Sequence, residues 1–541
     1  MRFRAMPSNN PPNSALYRIL CSPFCLFFAL WLILMLAGRS AMFRDPGTFW
    51  HVVVGENIIS TRHVPREDLY SFTFHGQPWI SDYWLAEIAM ATIHRMAGWD
   101  GLLTVTAAIL AGIYAFIAGR LSRAGIHWLL AGTILALVFL ASSHQFHVRP
   151  LVLTLAGLTI AFSLLVDVEA GRKSLNHLWL LPPLFILWTN VHGGVLSGVG
   201  AVGLCVLGWI ALWATGKDSP IHSFHQALET LLLVLVLLLC LLINPYGVNL
   251  IHSWFETLTM PLPELIQEHG PLDLTTAIGC ATLTLGAIYA IVLLTAWSQR
   301  PRITWLLPFV FFALALRVRN APLFAITVAL ALPDMLPYSR LAKWLQRREW
   351  LSIPSETPAG RHAHASRGHA ASTSGKIFAI LKNVLFPLSL VCIVLFLQSS
   401  KIPLPIFGSG WARFDPAYWP VELLPELRKI NENTSASNRR IFNDLKFGGF
   451  LIYHAPNLKI FIDDRCSLYG GEFLLAYDSA RRDDPRQIDP WQGRYQFEYA
   501  LVEAGTPLDA YLRQSDRWTL LGRSAAAALY EFHLGIPDNI Y

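Results

Sequence analysis

Long apolar runs recur along this 541-residue chain, and they limit the folds that it can adopt. A run of about 20 apolar residues is long enough to cross a bilayer as a helix. Only 14% of the residues are charged, whereas a soluble protein carries roughly a quarter. We therefore predict a polytopic α-helical membrane protein with about eleven transmembrane helices. The predicted spans are 18–38, 102–119, 127–142, 150–167, 177–190, 194–214, 226–244, 274–297, 303–316, 321–337 and 383–399.

The distribution of Lys and Arg orients these spans. Basic residues are concentrated in every second connection, including the stretch 340–348, and such connections face the cytoplasm. This predicts a cytoplasmic N-terminal tail (1–17), a transmembrane domain (18–399) and a cytoplasmic linker (338–382). The first loop (39–101) and the C-terminal residues 400–541 are then extracytoplasmic. The net charge of +6 reflects this bias and indicates no nucleic-acid partner.

Residues 400–541 differ in character from the rest of the chain, because their charges are more frequent and their apolar runs shorter. Strand patterns alternate with helix patterns there, which is typical of a small α/β domain with its own core. The predicted strands begin at Arg440, Lys459, Glu498 and Ala528, and the predicted helices cover 423–432, 472–481 and 507–514.

Polar residues near the span ends collect on the predicted outer face. Ionisable groups at membrane depth are costly, so such a collection is a functional-site hypothesis. Arginine binds phosphate through paired hydrogen bonds, and a nearby carboxylate can act as a general base. The combination suits a lipid phosphate as leaving group and a hydroxyl acceptor. The candidates are Asp45, His147, Arg149, Asn190, His192, Asn244, Tyr246, Glu268, Arg317, Arg319 and Asn320, with Trp50, His51, Asp68, Trp79 and Asp82 of the first loop.

Ordinary structural roles are open for several of these residues. Asp45-Pro-Gly also fits a turn after a helix, and Asn244-Pro-Tyr-Gly fits a helix stop. Trp50 and Trp79 fit an interfacial aromatic belt. Arg317 and Arg319 fit side chains that reach lipid headgroups.

Two runs of the first loop resemble a known family. Asp45-Pro-Gly-Thr-Phe-Trp-His and Gln77-Pro-Trp-Ile-Ser-Asp-Tyr-Trp-Leu-Ala-Glu87 are similar to the first outer loop of bacterial glycosyltransferase C superfamily membrane proteins, the group called glycosyltransferase family 39-like or dolichyl-phosphate-mannose-protein mannosyltransferase-like. The likeness continues in Arg149-Pro, Trp188-Thr-Asn-Val-His-Gly-Gly194, Asn244-Pro-Tyr-Gly247, Arg319-Asn320-Ala-Pro322 and Phe461-Ile-Asp-Asp-Arg465-Cys-Ser-Leu-Tyr469.

The resemblance implies a multi-pass protein of the bacterial inner membrane that takes part in cell-envelope glycan biosynthesis. It would transfer a sugar from a polyprenyl-phosphate-linked donor to an extracytoplasmic glycan, lipid or protein acceptor. By resemblance Asp45 is the catalytic base, although the second acid common beside this position is absent, since Arg44 and Pro46 flank it. The phosphate would be held by His147, Arg149, His192, Arg317 and Arg319. No cofactor is assigned, and a divalent metal is compatible with the resemblance.

Asp463, Arg465 and Tyr469 have two open interpretations: a salt-bridge network within the α/β domain, or the lining of an acceptor groove. Two rival functions also stay open, a lipid-linked glycan transporter or flippase and a non-catalytic scaffold with an outer binding domain. A transporter needs charges in mid-span. The clustering of polar residues at one rim favours the enzyme.

Overall fold

Apolar helices form most of the structure, which is a computed structural model that describes residues 22–260, 270–315, 317–352, 384–432 and 439–533. The N-terminal helices are α1 (Pro23–Ala41), α2 (Gly47–Thr61), α3 (Trp84–Arg123), α4 (Trp128–Ser142), α5 (Leu151–Glu169), α6 (Leu181–Val191), α7 (Val195–Ala214), α8 (Phe224–Cys240), α9 (Val248–Thr259), α10 (Ala277–Ala296), α11 (Leu307–Ala315), α12 (Ala321–Met335), α13 (Leu341–Arg347) and α14 (Phe386–Ser399).

The apolar helices coincide with the predicted spans. Within the described ranges, seven helical segments are long and apolar enough to cross a membrane, and three shorter ones are comparably apolar. The predicted span 177–190 is a 3-10 turn (Leu175–Leu180) followed by α6, whose two prolines lie in its first turn, where a missing N–H is tolerated. The polytopic α-helical fold class is therefore confirmed. The N-terminal tail, most of the linker and Glu268 lie outside the described residues.

The predicted first loop, 39–101, contains two helical segments that the sequence patterns did not indicate. One is α2, which begins two residues after Asp45. The other is the first arm of α3, which runs from Trp84 to a break at Gly98, where φ is 60°. Such a φ is accessible to glycine without steric cost. The loop is therefore a folded layer at one end of the helix bundle.

A five-stranded mixed sheet forms the core of the C-terminal region, with the strand order β2-β1-β3-β5-β4. Strands β2, β1 and β3 are parallel, whereas β5 and β4 are antiparallel to their neighbours. The elements are α15 (Leu424–Glu432), β1 (Arg439–Asn443), α16 (Leu445–His454), β2 (Leu458–Ile460), α17 (Cys466–Arg482), α18 (Ile488–Tyr495), β3 (Tyr499–Glu503), α19 (Pro507–Gln514), β4 (Trp518–Arg523) and β5 (Ala527–Phe532). The predicted small α/β unit is confirmed, with one strand (β4) and two helices (α16 and α18) more than expected.

The first loop and the sheet are built against each other. Loop residues pair with edge strand β2, where Phe72 N–H donates to Ile460 O at 2.9 Å and Ile460 N–H donates to Tyr70 O at 3.2 Å. Helix α16 also approaches α2 closely, because a Cβ on Gly449 would collide with the carbonyl oxygen of Pro46. We call the end of the bundle that contacts the sheet the domain end.

Charged residues at the opposite end form a separate network. Asp167 accepts hydrogen bonds from Arg120 at 2.9 Å and from Arg172 at 2.7 Å, and Arg172 also pairs with Asp334. These contacts tie together α3, α5 and α12. The parallel strands β1, β2 and β3 end on the side of the sheet where Asp444, Asp463 and Glu503 are found, an edge at which α/β sheets commonly place binding residues.

Candidate active site

Asp45 lies between α1 and α2 at the domain end and is only 5% exposed. Its Oδ1 accepts a hydrogen bond from the backbone N–H of Gly47 at 2.9 Å. Its Oδ2 accepts one from Nη1 of Arg149 at 2.5 Å. Arg149 stands directly before Pro150, the N-cap of α5. The structure thus joins two predicted site residues, 104 positions apart in sequence, as an ion pair.

A second carboxylate, from the C-terminal sheet region, faces Asp45. Asp464 follows β2, and its Oδ1 accepts a hydrogen bond from Nε1 of Trp50 at 2.7 Å. A methyl group placed on Gly47 would lie 2.9 Å from Asp45 Oδ1, 3.0 Å from Asp464 Oδ2 and 3.3 Å from His51 Nε2. Three polar groups therefore surround one point, which we call the focal point. Burial and the neighbouring Asp45 carboxylate raise the pKa of Asp464 to about 8.

His51 is oriented by a buried chain of hydrogen bonds. Its Nδ1 is 3.0 Å from Oε1 of Glu87, whose other oxygen accepts a hydrogen bond from the Ser81 hydroxyl. Burial raises the pKa of Glu87 well above its usual value. The contact with Glu87 orients the ring so that Nε2 is the nitrogen at the focal point. Burial, followed by the charges of Arg149 and His192, lowers the pKa of His51 well below its usual value. The imidazole is therefore neutral near pH 7.

His192 and Arg319 reach the same region through Tyr83. The Tyr83 ring lies 5.1 Å from the His51 ring and 5.2 Å from the His192 ring. Nδ1 of His192 accepts a hydrogen bond from Gly194 N–H at 2.8 Å, so the proton of the neutral ring is on Nε2. Burial raises the pKa of Tyr83, and the positive charges of Arg149 and Arg319 oppose that shift. The guanidinium groups of both arginines therefore lie near this ring.

A shallow apolar groove of about 600 Å³ adjoins this cluster. Its polar boundary is the pair formed by Trp84 and Asn190, in which Nε1 donates to Oδ1 at 2.9 Å. Trp84 is the next residue after Tyr83, and Asn190 stands two residues before His192, so the groove runs up to the charged site. Its lining is Trp84, Leu85, Pro183, Ile186, Leu187, Asn190, Leu242, Ile243, Asn244 and Pro245.

A second group of predicted residues forms a buried ion cluster instead of lining an opening. Arg465 is paired through two nitrogens with Asp463, at 2.9 and 2.6 Å, and its Nη1 lies 2.8 Å from Asp68 Oδ1. Tyr469 donates to Asp463 at 3.1 Å, and the Trp79 ring centre lies 4.7 Å from the guanidinium carbon. Of the two interpretations of the C-terminal residues, the salt-bridge network describes this arrangement. It fastens the first loop to the sheet.

Other predicted residues have local roles. Asn244 closes its own turn, since its Oδ1 accepts from Tyr246 N–H at 2.8 Å, and the Tyr246 hydroxyl donates to Pro65 O at 2.8 Å. Asn320 Nδ2 donates to Leu314 O at 2.9 Å.

Two predicted residues lie apart from these pairs, and a third, Asp82, directly precedes Tyr83 of the site. Arg317 is exposed, and its backbone pairs with Pro271. Nδ1 of half-buried His147 has no hydrogen bond among the described residues. Burial raises the pKa of Asp82 to about 7.

Among the described residues, no group of three His, Cys, Asp or Glu side chains has the spacing of metal ligands. Both oxygens of Asp45 are engaged by an N–H group and a guanidinium. No step below is assigned to a metal ion.

The fold and this site define a membrane-embedded helix bundle that carries a carboxylate–arginine centre under a small α/β unit. Among solved structures, the oligosaccharyltransferase of Archaeoglobus fulgidus in its apo form is similar, with a TM-score of 0.50 and 11% identity over 89% of this chain and 69% of that one. ArnT from Cupriavidus metallidurans matches with TM-scores of 0.47 in the apo state and 0.48 when bound to undecaprenyl phosphate, at 14% and 11% identity. Each of the two ArnT matches covers 96% of this chain and 98% of the ArnT chain.

No protein-family model matches the chain, and no curated protein matches it. The likeness to the archaeal enzyme shows that the chain has the glycosyltransferase C fold, as the sequence resemblance implied. At 11% identity this likeness concerns the fold alone.

Sequence reasoning missed Asp464 and Glu87 as site residues. Asp464 stands in the Asp463-Asp464-Arg465 run that we singled out, yet nothing in the run separates the acid that faces the site from the acid in the ion cluster. Glu87 is an acid in the first turn of α3, and burial to 0% exposure is what distinguishes it.

Proposed function

We propose that the protein is a membrane glycosyltransferase that transfers a sugar from a polyprenyl-phosphate-linked donor to an acceptor on the extracytoplasmic side. One observation carries the proposal: Asp45 is held by Arg149 at the domain end, with His51 and His192 beside it. A base, a phosphate-binding cation and neutral hydrogen-bonding imidazoles are the groups that such a transfer requires. The shared fold with an oligosaccharyltransferase supports the same class of reaction.

The Asp45–Arg149 pair suggests how the donor activates the base. Arg149 is the cation nearest to Asp45, and it binds phosphate at least as well as it binds carboxylate. When the donor phosphate binds the Arg149 guanidinium in place of Asp45, Oδ2 of Asp45 loses its partner and becomes a stronger proton acceptor. The acceptor hydroxyl then attacks the anomeric carbon, its proton passes to Asp45, and the polyprenyl phosphate leaves with the electrons of the sugar–phosphate bond.

The apolar groove provides a path for the lipid chain of the donor. Most of its lining is apolar, and Leu187 and Ile243 are more than half exposed on its outer wall. Isoprenoid chains gain free energy by leaving water for such surfaces. A chain lying there would bring its phosphate to the end of the groove near His192 and Arg149.

The test is sugar transfer by the purified full-length protein in detergent, with radiolabelled polyprenyl-phosphate sugars as donors and envelope extract as acceptor. We expect label to leave the lipid fraction with the wild type and not with Asp45→Asn. Asp415→Asn is the matched control, because Asp415 pairs with exposed Arg44 on the surface. Movement of donor across vesicle membranes without transfer would instead identify a flippase. A protein that shows neither activity would fit the third hypothesis, a non-catalytic scaffold.

A further inference from the structure

Asp464 is held in a fixed direction by its neighbours in the chain. Asp463 and Arg465 are both locked in the buried ion cluster, so the residue between them cannot turn toward that cluster. Its side chain points to α2, where Trp50 Nε1 fixes Oδ1 at 2.7 Å. The sheet region thereby delivers one carboxylate to the membrane-embedded site.

Oδ2 of Asp464 has no hydrogen bond among the described residues, although it faces the focal point. The nearby cations are already engaged: Arg149 pairs with Asp45, and Arg465 pairs with Asp463 and Asp68. An acceptor oxygen inside a protein normally has a donor partner. The pKa of Asp464 is about 8, so above that pH Oδ2 is an ionised acceptor whose partner would be a hydroxyl or ammonium group of a bound molecule.

We propose that Asp464 binds the acceptor substrate, through a hydrogen-bond donor group that the acceptor places at the focal point between Asp464 and Asp45. The C-terminal domain is then part of the active site and not only a lid or an anchor. This inference rests on the proposed transfer reaction and names the residue that holds its acceptor.

Gly47 supplies the space for that group. Its φ lies outside the left-handed region, so alanine fits its backbone conformation. Alanine would also be the better residue for the first turn of a helix. The added methyl group, however, would occupy the focal point between the two carboxylates. Gly47→Ala is therefore a steric test that leaves the charges unchanged.

The experiment measures kcat and KM for donor and acceptor separately in Asp464→Asn, Gly47→Ala and Asp489→Asn, at a pH above about 8, where Asp464 is ionised. For Asp464→Asn we expect kcat/KM for the acceptor to fall by about 10- to 100-fold, the effect of losing one charge-assisted hydrogen bond, with donor KM unchanged. Gly47→Ala should show the same split. Asp489, which is paired with Tyr511 and Arg517 within the sheet region, is the control and should behave as wild type. A rise in donor KM alone, or wild-type kinetics in Asp464→Asn, would overturn the proposal.

A labelling experiment separates this proposal from the transfer reaction itself. In a Cys466→Ser background, Asp464→Cys should react with a small hydrophilic thiol reagent, and the envelope extract that serves as acceptor in the transfer assay should slow that reaction. Ser467→Cys is exposed beside the site and should react at the same rate with and without the extract. Protection of Asp464→Cys in a protein that transfers no sugar would support the ligand site and refute the proposed transfer reaction. Absence of protection would refute the ligand site.

Discussion

Replacing Asp45 by Asn tests the exchange of partners on Arg149. The substitution keeps the side-chain shape and the hydrogen bond from Gly47 N–H to the side-chain oxygen. It removes the negative charge that holds Arg149 Nη1 at 2.5 Å. Two effects of opposite sign should follow, one on turnover and one on donor binding.

The expected magnitudes come from the geometry of the pair. General base catalysis contributes about 10²–10⁴-fold, so kcat should fall by that factor. The Arg149 side chain is 20% exposed and that of Asp45 is 6% exposed, so the ion pair is only partly screened. If releasing Arg149 costs about 1.5 kcal/mol, the low end for hydrogen bonds to charged groups, its absence should tighten polyprenyl phosphate binding by roughly tenfold.

The assay compares wild type and Asp45→Asn by titration with polyprenyl phosphate in nanodiscs and by sugar transfer. Arg149→Gln, which removes the cation instead of the acid, should lose both binding and turnover. Weaker lipid binding in Asp45→Asn would refute the exchange of partners. Transfer within tenfold of the wild type would refute Asp45 as the base.

Three further outcomes are expected. Arg319→Ala should weaken polyprenyl phosphate binding by about 10- to 100-fold. Arg317→Ala, which changes an exposed side chain, should leave this binding nearly unchanged. Equal effects of the two variants would contradict the placement of Arg319 near the site and of Arg317 outside it. Arg465→Met should lower the free energy of unfolding by about 3–5 kcal/mol, because it leaves buried acids unpaired, and a thermal midpoint equal to that of the wild type would contradict the ion cluster. Reporter fusions after Tyr541 and within 352–375 should report opposite compartments, and the same compartment for both would contradict the predicted orientation.

The helix bundle was predictable because one property, the length of an apolar run, is enough to locate a span. The folded first loop was not predictable on the same basis. Helix α2 buries Phe49, Val52 and Val54 on different sides, since it lies between the bundle and the sheet. A helix covered on all sides has no amphipathic period to detect. Strand β4 was missed for the opposite reason, because most of its residues are exposed at an edge of the sheet.

The charged residues show a different limit. Sequence position indicates which acids and arginines are present, yet it does not indicate which of them neutralise each other. Asp68 and Arg465 were candidates for substrate binding, and the fold satisfies each with the other. Asp45 and Arg149 are also paired, but their pair lies beside neutral histidines at the end of an apolar groove. Only the surroundings distinguish the structural pair from the pair that we propose a phosphate opens.

Gly47 is the residue whose identity in the sequence is best explained by the geometry of the site. Read along the chain, it is a small residue after a proline, and a turn explains it. In the structure its φ needs no glycine, so conformation does not account for the residue, and the missing side chain does. The space beside it is bounded by carboxylates from two distant segments, the start of α2 and the end of β2. The glycine and Asp464 therefore form a pair: Gly47 leaves space beside Asp45, and Asp464 brings a second acid to that space from the sheet region.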